Sequence, residues 1–119
     1  NTIPTIASRD SKYFIIPSQL PEAYQHWLCF PLTIREGAPF SREELILYLE
    51  GHNIQTRPIF TGNILKQPGF TNIKKRVKGT TKNTDYIMKH GVLIGCHQGL
   101  EKKHLEHIKT TVVNYLLTK

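Results

Sequence analysis

The spacing of apolar residues along this chain changes several times, and each change marks an element. The sharpest pattern is "SREELILYLEGHN". Leu45, Ile46 and Leu49 recur at helical spacing, Ser41 and Glu44 form a capping-box pair, and Gly51 suits the far end, so this stretch predicts a helix. "WLCFPLTI", residues 27–34, is rich in strand-favouring side chains, with Pro31 pointing to an edge position or a bulge. From Ile54 to Phe60, Ile54 and Thr56 alternate with Gln55 and Arg57, which predicts a second strand. Residues 61–82 carry no period. Beyond them, Asn83 or Thr84 caps a short helix through Met88, stopped by Gly91. "VLIGCH", residues 92–97, is a compact strand of the buried kind. A last helix from Glu101 to Leu117 sets Leu105, Ile108, Val112 and Leu116 on one face. Residues 1–26 contain Pro4, Pro17, Pro21 and one apolar run, Tyr13 to Ile16, and predict an extended lead-in.

This order of elements predicts an α+β fold: a small, mostly antiparallel sheet with helices packed on one face. The folded domain spans 27–119, with 1–26 as a linker-like lead-in. The 61–82 segment is the unusual part, because structureless loops of that length in compact domains are functional or disordered. No internal repeat or low-complexity tract appears. At 119 residues the chain is long enough for one domain with a real core.

Charge changes the picture. The formal net charge is +7, which suits an anionic partner such as a nucleotide or phosphate. The basic run Lys74, Lys75, Arg76, Lys78 and Lys82 lacks interleaved aromatics for base stacking, so it predicts a solvated loop rather than a nucleic-acid site. Cys29 and Cys96 form no CxxC pair and predict buried thiols of a reducing compartment. No apolar stretch reaches the length of a membrane span and no signal peptide is visible, which points to the cytoplasm. The chain opens Asn1-Thr2 without methionine, suggesting a fragment or a processed start.

Several side chains carry candidate chemistry. His97, His104 and His107 with Cys96 resemble a zinc set, but no second ligand pair has the right spacing and Lys102, Lys103 and Lys109 surround the helical pair, so a solvated helix face is favoured. Cys96 and His97 are neighbours on a predicted strand and point to opposite faces, which disfavours a nucleophile–base dyad. His97 ends that strand ahead of the Gln98-Gly99 turn, where side chains line clefts. Arg57 can fork onto a carboxylate or phosphate, or pair with a nearby acid at the surface. No glycine-rich phosphate loop and no acid/base carboxylate pair is present.

"TRPIFTGNILKQP" and "NTDYIM" are the specific blocks in a wider similarity, roughly residues 13–117. The chain resembles the C-terminal region of DegT/StrS-type sugar aminotransferases. Within that family it is most similar to the nucleotide-diphospho-4-keto-6-deoxyhexose 3-dehydratases of lipopolysaccharide dideoxysugar synthesis. The resemblance implies a small domain of a fold-type-I pyridoxal-phosphate enzyme, closing over a large domain of the same chain in a homodimeric parent. It implies a pyridoxal or pyridoxamine phosphate held by that large domain, and a CDP- or GDP-linked 4-keto sugar as substrate. It assigns substrate contact to Arg57, Phe60, Gly62, Asn63, His97 and Gln98, and no catalytic group, cofactor contact or metal ligand to these 119 residues, which are expected to be inactive alone. Transamination instead of dehydration, a free-standing basic nucleic-acid-binding module, and a purely structural or assembly domain are the alternatives.

Overall fold

A computed structural model describes residues 12–119, so Pro4 and the opening of the lead-in lie outside it. Four strands form one sheet: β1 (Phe14–Ile15), β2 (Cys29–Ile34), β3 (Thr56–Pro58) and β4 (Gly91–Gly95), in the order β1-β2-β4-β3. All three pairings are antiparallel. Among the described residues the α-helices are α1 (Arg42–Gly51), α2 (Lys82–His90) and α3 (Lys102–Leu117). The α+β architecture expected from the periodicity is the one observed.

The core follows from strand alternation. Phe30, Leu32 and Ile34 of β2 and Val92 and Ile94 of β4 turn to one face and are buried. Leu45 and Leu49 of α1 and Ile108, Val112 and Tyr115 of α3 close over that face. Leu45 and Leu49 are fully buried, and each such side chain contributes roughly 1.5–3 kcal/mol by leaving water. The helix α1 starts where the sequence says. Ser41 Oγ accepts from Glu44 N (3.1 Å) and Glu44 Oε2 accepts from Ser41 N (2.7 Å). Its exit turn passes through Asn53 in the left-handed region (φ 59°), a role asparagine fills when glycine does not.

Several boundaries differ from the expected ones, each for a local reason. The β2 ladder begins at Cys29 rather than 27, because its partner β4 ends at Gly95. β3 is limited to Thr56–Pro58 rather than 54–60. Ile54 N is drawn back to Leu49 O (3.0 Å) and Phe60 N turns onto Pro58 O (2.8 Å), so neither end extends the ladder. β4 spans 91–95 rather than 92–97, which leaves Cys96 and His97 beyond the strand. The alternation that separated those two side chains therefore does not apply to them. α2 runs on to His90, with Thr81 rather than Asn83 or Thr84 as its N-cap. Pro31 lies in an inner strand, but β1 pairs only with Thr33 and Ile34, so the proline occupies a local edge. Within the lead-in, Phe14 of β1 is buried in the core. Cys29 and Cys96 are free and half-buried rather than buried.

Replacing Leu45 with alanine should cost about 2–5 kcal/mol of unfolding free energy in urea, because the cavity adds to the lost transfer energy. Leu47→Ala on the same helix, at a position 75% exposed, should stay within about 0.5 kcal/mol of the parent.

Candidate functional site

The end of β3 feeds a tight turn that displays the most unusual backbone of the molecule. Phe60 N–H donates to Pro58 O (2.8 Å) and Gly62 N–H to Ile59 O (3.1 Å), which folds the chain twice within five residues. Phe60 sits in the left-handed region (φ 47°) with its ring 77% exposed. A bulky side chain there costs on the order of 1–3 kcal/mol and persists only when its surroundings hold it. Gly62 is also left-handed (φ 61°), and a Cβ on it would stand 2.4 Å from Met88 Cγ. Glycine is therefore required twice over, by conformation and by close approach to α2. Gly91 allows a similar approach, since a Cβ there would meet Ile59 Cδ1 at 2.5 Å.

The turn is fastened to α2 by polar contacts. Asn63 is 3% exposed, and both ends of its amide are hydrogen-bonded. Nδ2 donates to Asp85 Oδ1 (2.7 Å), and Oδ1 accepts from Leu65 N (3.0 Å), capping the 3-10 turn Ile64–Lys66. Lys66 pairs with the same Asp85 oxygen (3.0 Å), and Thr81 Oγ1 donates to Oδ2 (3.2 Å). The Asn63 amide first, then Lys66, hold the Asp85 carboxyl below its usual value. From the other side, Arg42 Nη1 donates to Met88 O (2.7 Å), linking the start of α1 to α2.

Arg57 lies on β3, the sheet edge, and is exposed. Its neighbour Thr56 is buried toward the helices, so Arg57 stands on the opposite sheet face, paired with Leu93. Glu50 accepts from Thr56 N (2.6 Å) and Thr56 Oγ1 (2.8 Å); these bonds lower its pKa, with the charge of Arg57 a lesser cause. No salt bridge among the described residues holds Arg57 itself, so its fork of donors is unspent.

Phe60 and Gly62 line a cavity of about 240 Å³ with Arg42, Pro58, Ile59, Thr61, Gln67 and Met88. Of the four residues expected at a site near the end of β3, Arg57, Phe60, Gly62 and Asn63, only Phe60 and Gly62 line this cavity, while Arg57 precedes Pro58 on the sheet face away from the helices. Asn63 is the one of the four turned inward, where it holds the turn. His97 and Gln98 are exposed at the other end of the β3–β4 pair, and the structure does not bring them to the turn. His97 instead borders a separate cavity of about 270 Å³ beside Gln55, His104 and His107. Asp85, Met88 and Arg42 were missed as site architecture, although Asp85 lies inside the "NTDYIM" block and is the lone carboxylate between residues 57 and 90.

Among the described residues no cluster of His, Cys, Asp or Glu has metal-binding geometry. No described helix is long and apolar enough to cross a membrane. Every described lysine is exposed except Lys109, which is half-buried on α3. None of these lysines stands in a desolvated cleft.

The model of the family described as "DegT/DnrJ/EryC1/StrS aminotransferase family" matches residues 7–113. The lipopolysaccharide biosynthesis protein RfbH of Salmonella typhimurium is 40% identical over 94 residues, which is 76% of this chain and 22% of that protein. The GDP-4-keto-6-deoxy-D-mannose 3-dehydratase of Yersinia pseudotuberculosis is 37% identical over 73 residues, 60% of this chain and 19% of that one. The chain thus spans about a fifth of the length of these relatives. The solved E coli GDP-4-keto-6-deoxy-D-mannose-3-dehydratase with bound hydrated PLP superimposes with a TM-score of 0.77 at 23% identity, covering 92% of this chain and 28% of that one. That likeness establishes the shared fold.

Two measurements test the turn. Gly62→Ala should lose about 2–4 kcal/mol of stability in urea unfolding, combining left-handed strain with the Met88 clash. Asp85 contributes stability that is intact above its ordinary pKa of 3.8 and is lost as pH falls below that through the depressed folded value. Urea midpoints taken from about pH 5 down to about pH 2 should therefore fall, and Asp85→Asn should lose that part of the acid dependence.

Proposed function

This chain belongs to the DegT/DnrJ/EryC1/StrS aminotransferase family, and we propose that it is the small C-terminal domain of a nucleotide-sugar 3-dehydratase of lipopolysaccharide biosynthesis. The substrate is a CDP- or GDP-linked 4-keto-6-deoxyhexose. The pyridoxal or pyridoxamine phosphate, which supplies the electron sink for removing the C3 hydroxyl, sits on a large domain outside these residues, in a cytoplasmic homodimer. The 40% identity to a lipopolysaccharide biosynthesis protein across 94 residues carries this reading. Dehydration is favoured over transamination because further relatives are 3-dehydratases, including a dTDP-4-dehydro-2,6-dideoxy-D-glucose 3-dehydratase at 26% identity over 102 residues.

In this reading the chain binds and orients. Arg57 presents a planar pair of donors to the substrate's phosphate or paired sugar oxygens. Pro58 biases the residue before it to extended backbone, so the guanidinium is aimed by the strand. Phe60 offers an aromatic face from a backbone already strained into place, which saves ordering entropy on binding. Gly62 and Asn63 keep that face seated on α2. His97 and Gln98 contact the substrate side of the domain from the far end of β4, and the wide separation calls for an extended ligand such as a nucleotide sugar.

In the enzyme that carries this domain, Arg57→Lys and Arg57→Ala should each lower kcat/KM for the nucleotide sugar about tenfold or more, the effect of losing a charged hydrogen bond. Lysine does not rescue because it retains the charge without the fork. The thermal transition should be unchanged, since Arg57 is exposed. Wild-type kinetics would reject the assignment, and so would a variant that loses its transition together with its activity.

A further inference from the structure

The positive charge of the chain is confined to one part of it. Residues 57–90 contain eight lysines and arginines against one carboxylate, Asp85, while the rest of the chain carries eight of each sign. The whole net charge of +7 therefore resides in this segment. The segment is also one contiguous lobe. Asp85 ties Asn63, Lys66 and Thr81 together, Gln67 Nε2 donates to Thr61 O (2.7 Å), and Lys75 Nζ donates to Phe70 O and Thr71 O (2.9 and 3.0 Å). The single acid is consumed inside the lobe. Lys74, Arg76, Lys78, Lys82 and Lys89 are exposed and form no salt bridge among the described residues.

Clustered like charges repel one another, and the arrangement is relieved by a ligand that brings the opposite charge. Exposed Ile73 and Val77, each 51% accessible, interrupt the cations. No aromatic lies between Lys74 and Lys82 to stack the bases of a polymer, and the lobe's exposed rings, Phe60 and Phe70, lie outside that run. A compact polyanion fits such a surface better than a long one. We propose that the 57–90 lobe is an electrostatic capture surface for the diphosphate of a nucleoside diphosphate ligand, drawing it toward the Phe60–Asn63 turn. The proposal rests on the nucleotide-sugar reading and deepens it, with the lysines of the 71–89 stretch governing approach and Arg57 governing the seated complex. Capture of this kind is long-ranged and weakens as salt shortens the reach of the charges.

The test is an amide NMR titration of the 119-residue chain with inorganic pyrophosphate, guanosine diphosphate and guanosine, at about 20 mM and about 200 mM salt. Pyrophosphate and guanosine diphosphate should both shift amides of residues 71–90, and guanosine should not. The higher salt should weaken binding about tenfold, as should Lys74→Glu with Arg76→Glu, which alter solvent-facing side chains and leave the remaining spectrum in place. The proposal is overturned by pyrophosphate shifts that map elsewhere or are absent, or by a double variant that binds as the parent does. Much tighter binding of a DNA duplex or of phosphatidylserine vesicles to the same residues would also reject the diphosphate assignment. Failure of the Arg57 kinetics would retire the dehydratase reading and leave these titrations standing. Loss of the titration effects with the kinetics intact would retire the capture surface alone.

Discussion

One carboxylate organises the irregular third of this domain. Asp85 receives the Asn63 amide, the Lys66 ammonium and the Thr81 hydroxyl, joining the turn after β3, the 3-10 segment and the start of α2. Those three segments share little apolar surface with the main core. Their relative placement depends instead on polar bonds converging on two oxygens and on the close fit of Gly62 against Met88. The strained Phe60 and the open cavity beside it are consequences of that anchoring.

The molecule therefore has two regimes of cohesion. The face built from β2, β4, α1 and α3 is held by contiguous apolar packing, non-directional and tolerant of small shifts. The lobe is held by directional bonds at its border with solvent, where each contributes less and pH matters more. Local opening is expected first in the second regime, since partly exposed hydrogen bonds and sparse apolar contacts mark the low-stability end of a fold.

Much of the fold was legible because it obeys short-range rules. The Ser41–Glu44 box, the stripe on the last helix and the apolar run of β4 all act within a few residues of themselves, and they located three elements closely. The boundaries of β3 were not legible. They are decided by Leu49 and Pro58 carbonyls that compete for N–H groups the strand would otherwise use. The site was half legible. Arg57 stood out because a proline follows it, and the Gly62-Asn63 pair marked a turn. That Asn63 is buried and spent on Asp85, twenty-two residues away, is a long-range pairing that no local pattern encodes. The distance of His97 from the turn is of the same kind, since it follows from the antiparallel direction of β3 and β4.

The shortness of β3 reaches beyond this domain's own cohesion. It is the outer strand on its side of the sheet, three residues long, and one of those residues is Pro58, which has no N–H to offer a newcomer. The preceding position is a cation, and the chain turns sharply at Phe60 directly afterwards. A neighbouring polypeptide seeking to extend the sheet would find few free donors, a charge and an abrupt end. The same three residues that present Arg57 to solvent thus protect the molecule against edge-to-edge association, a hazard every exposed strand must manage.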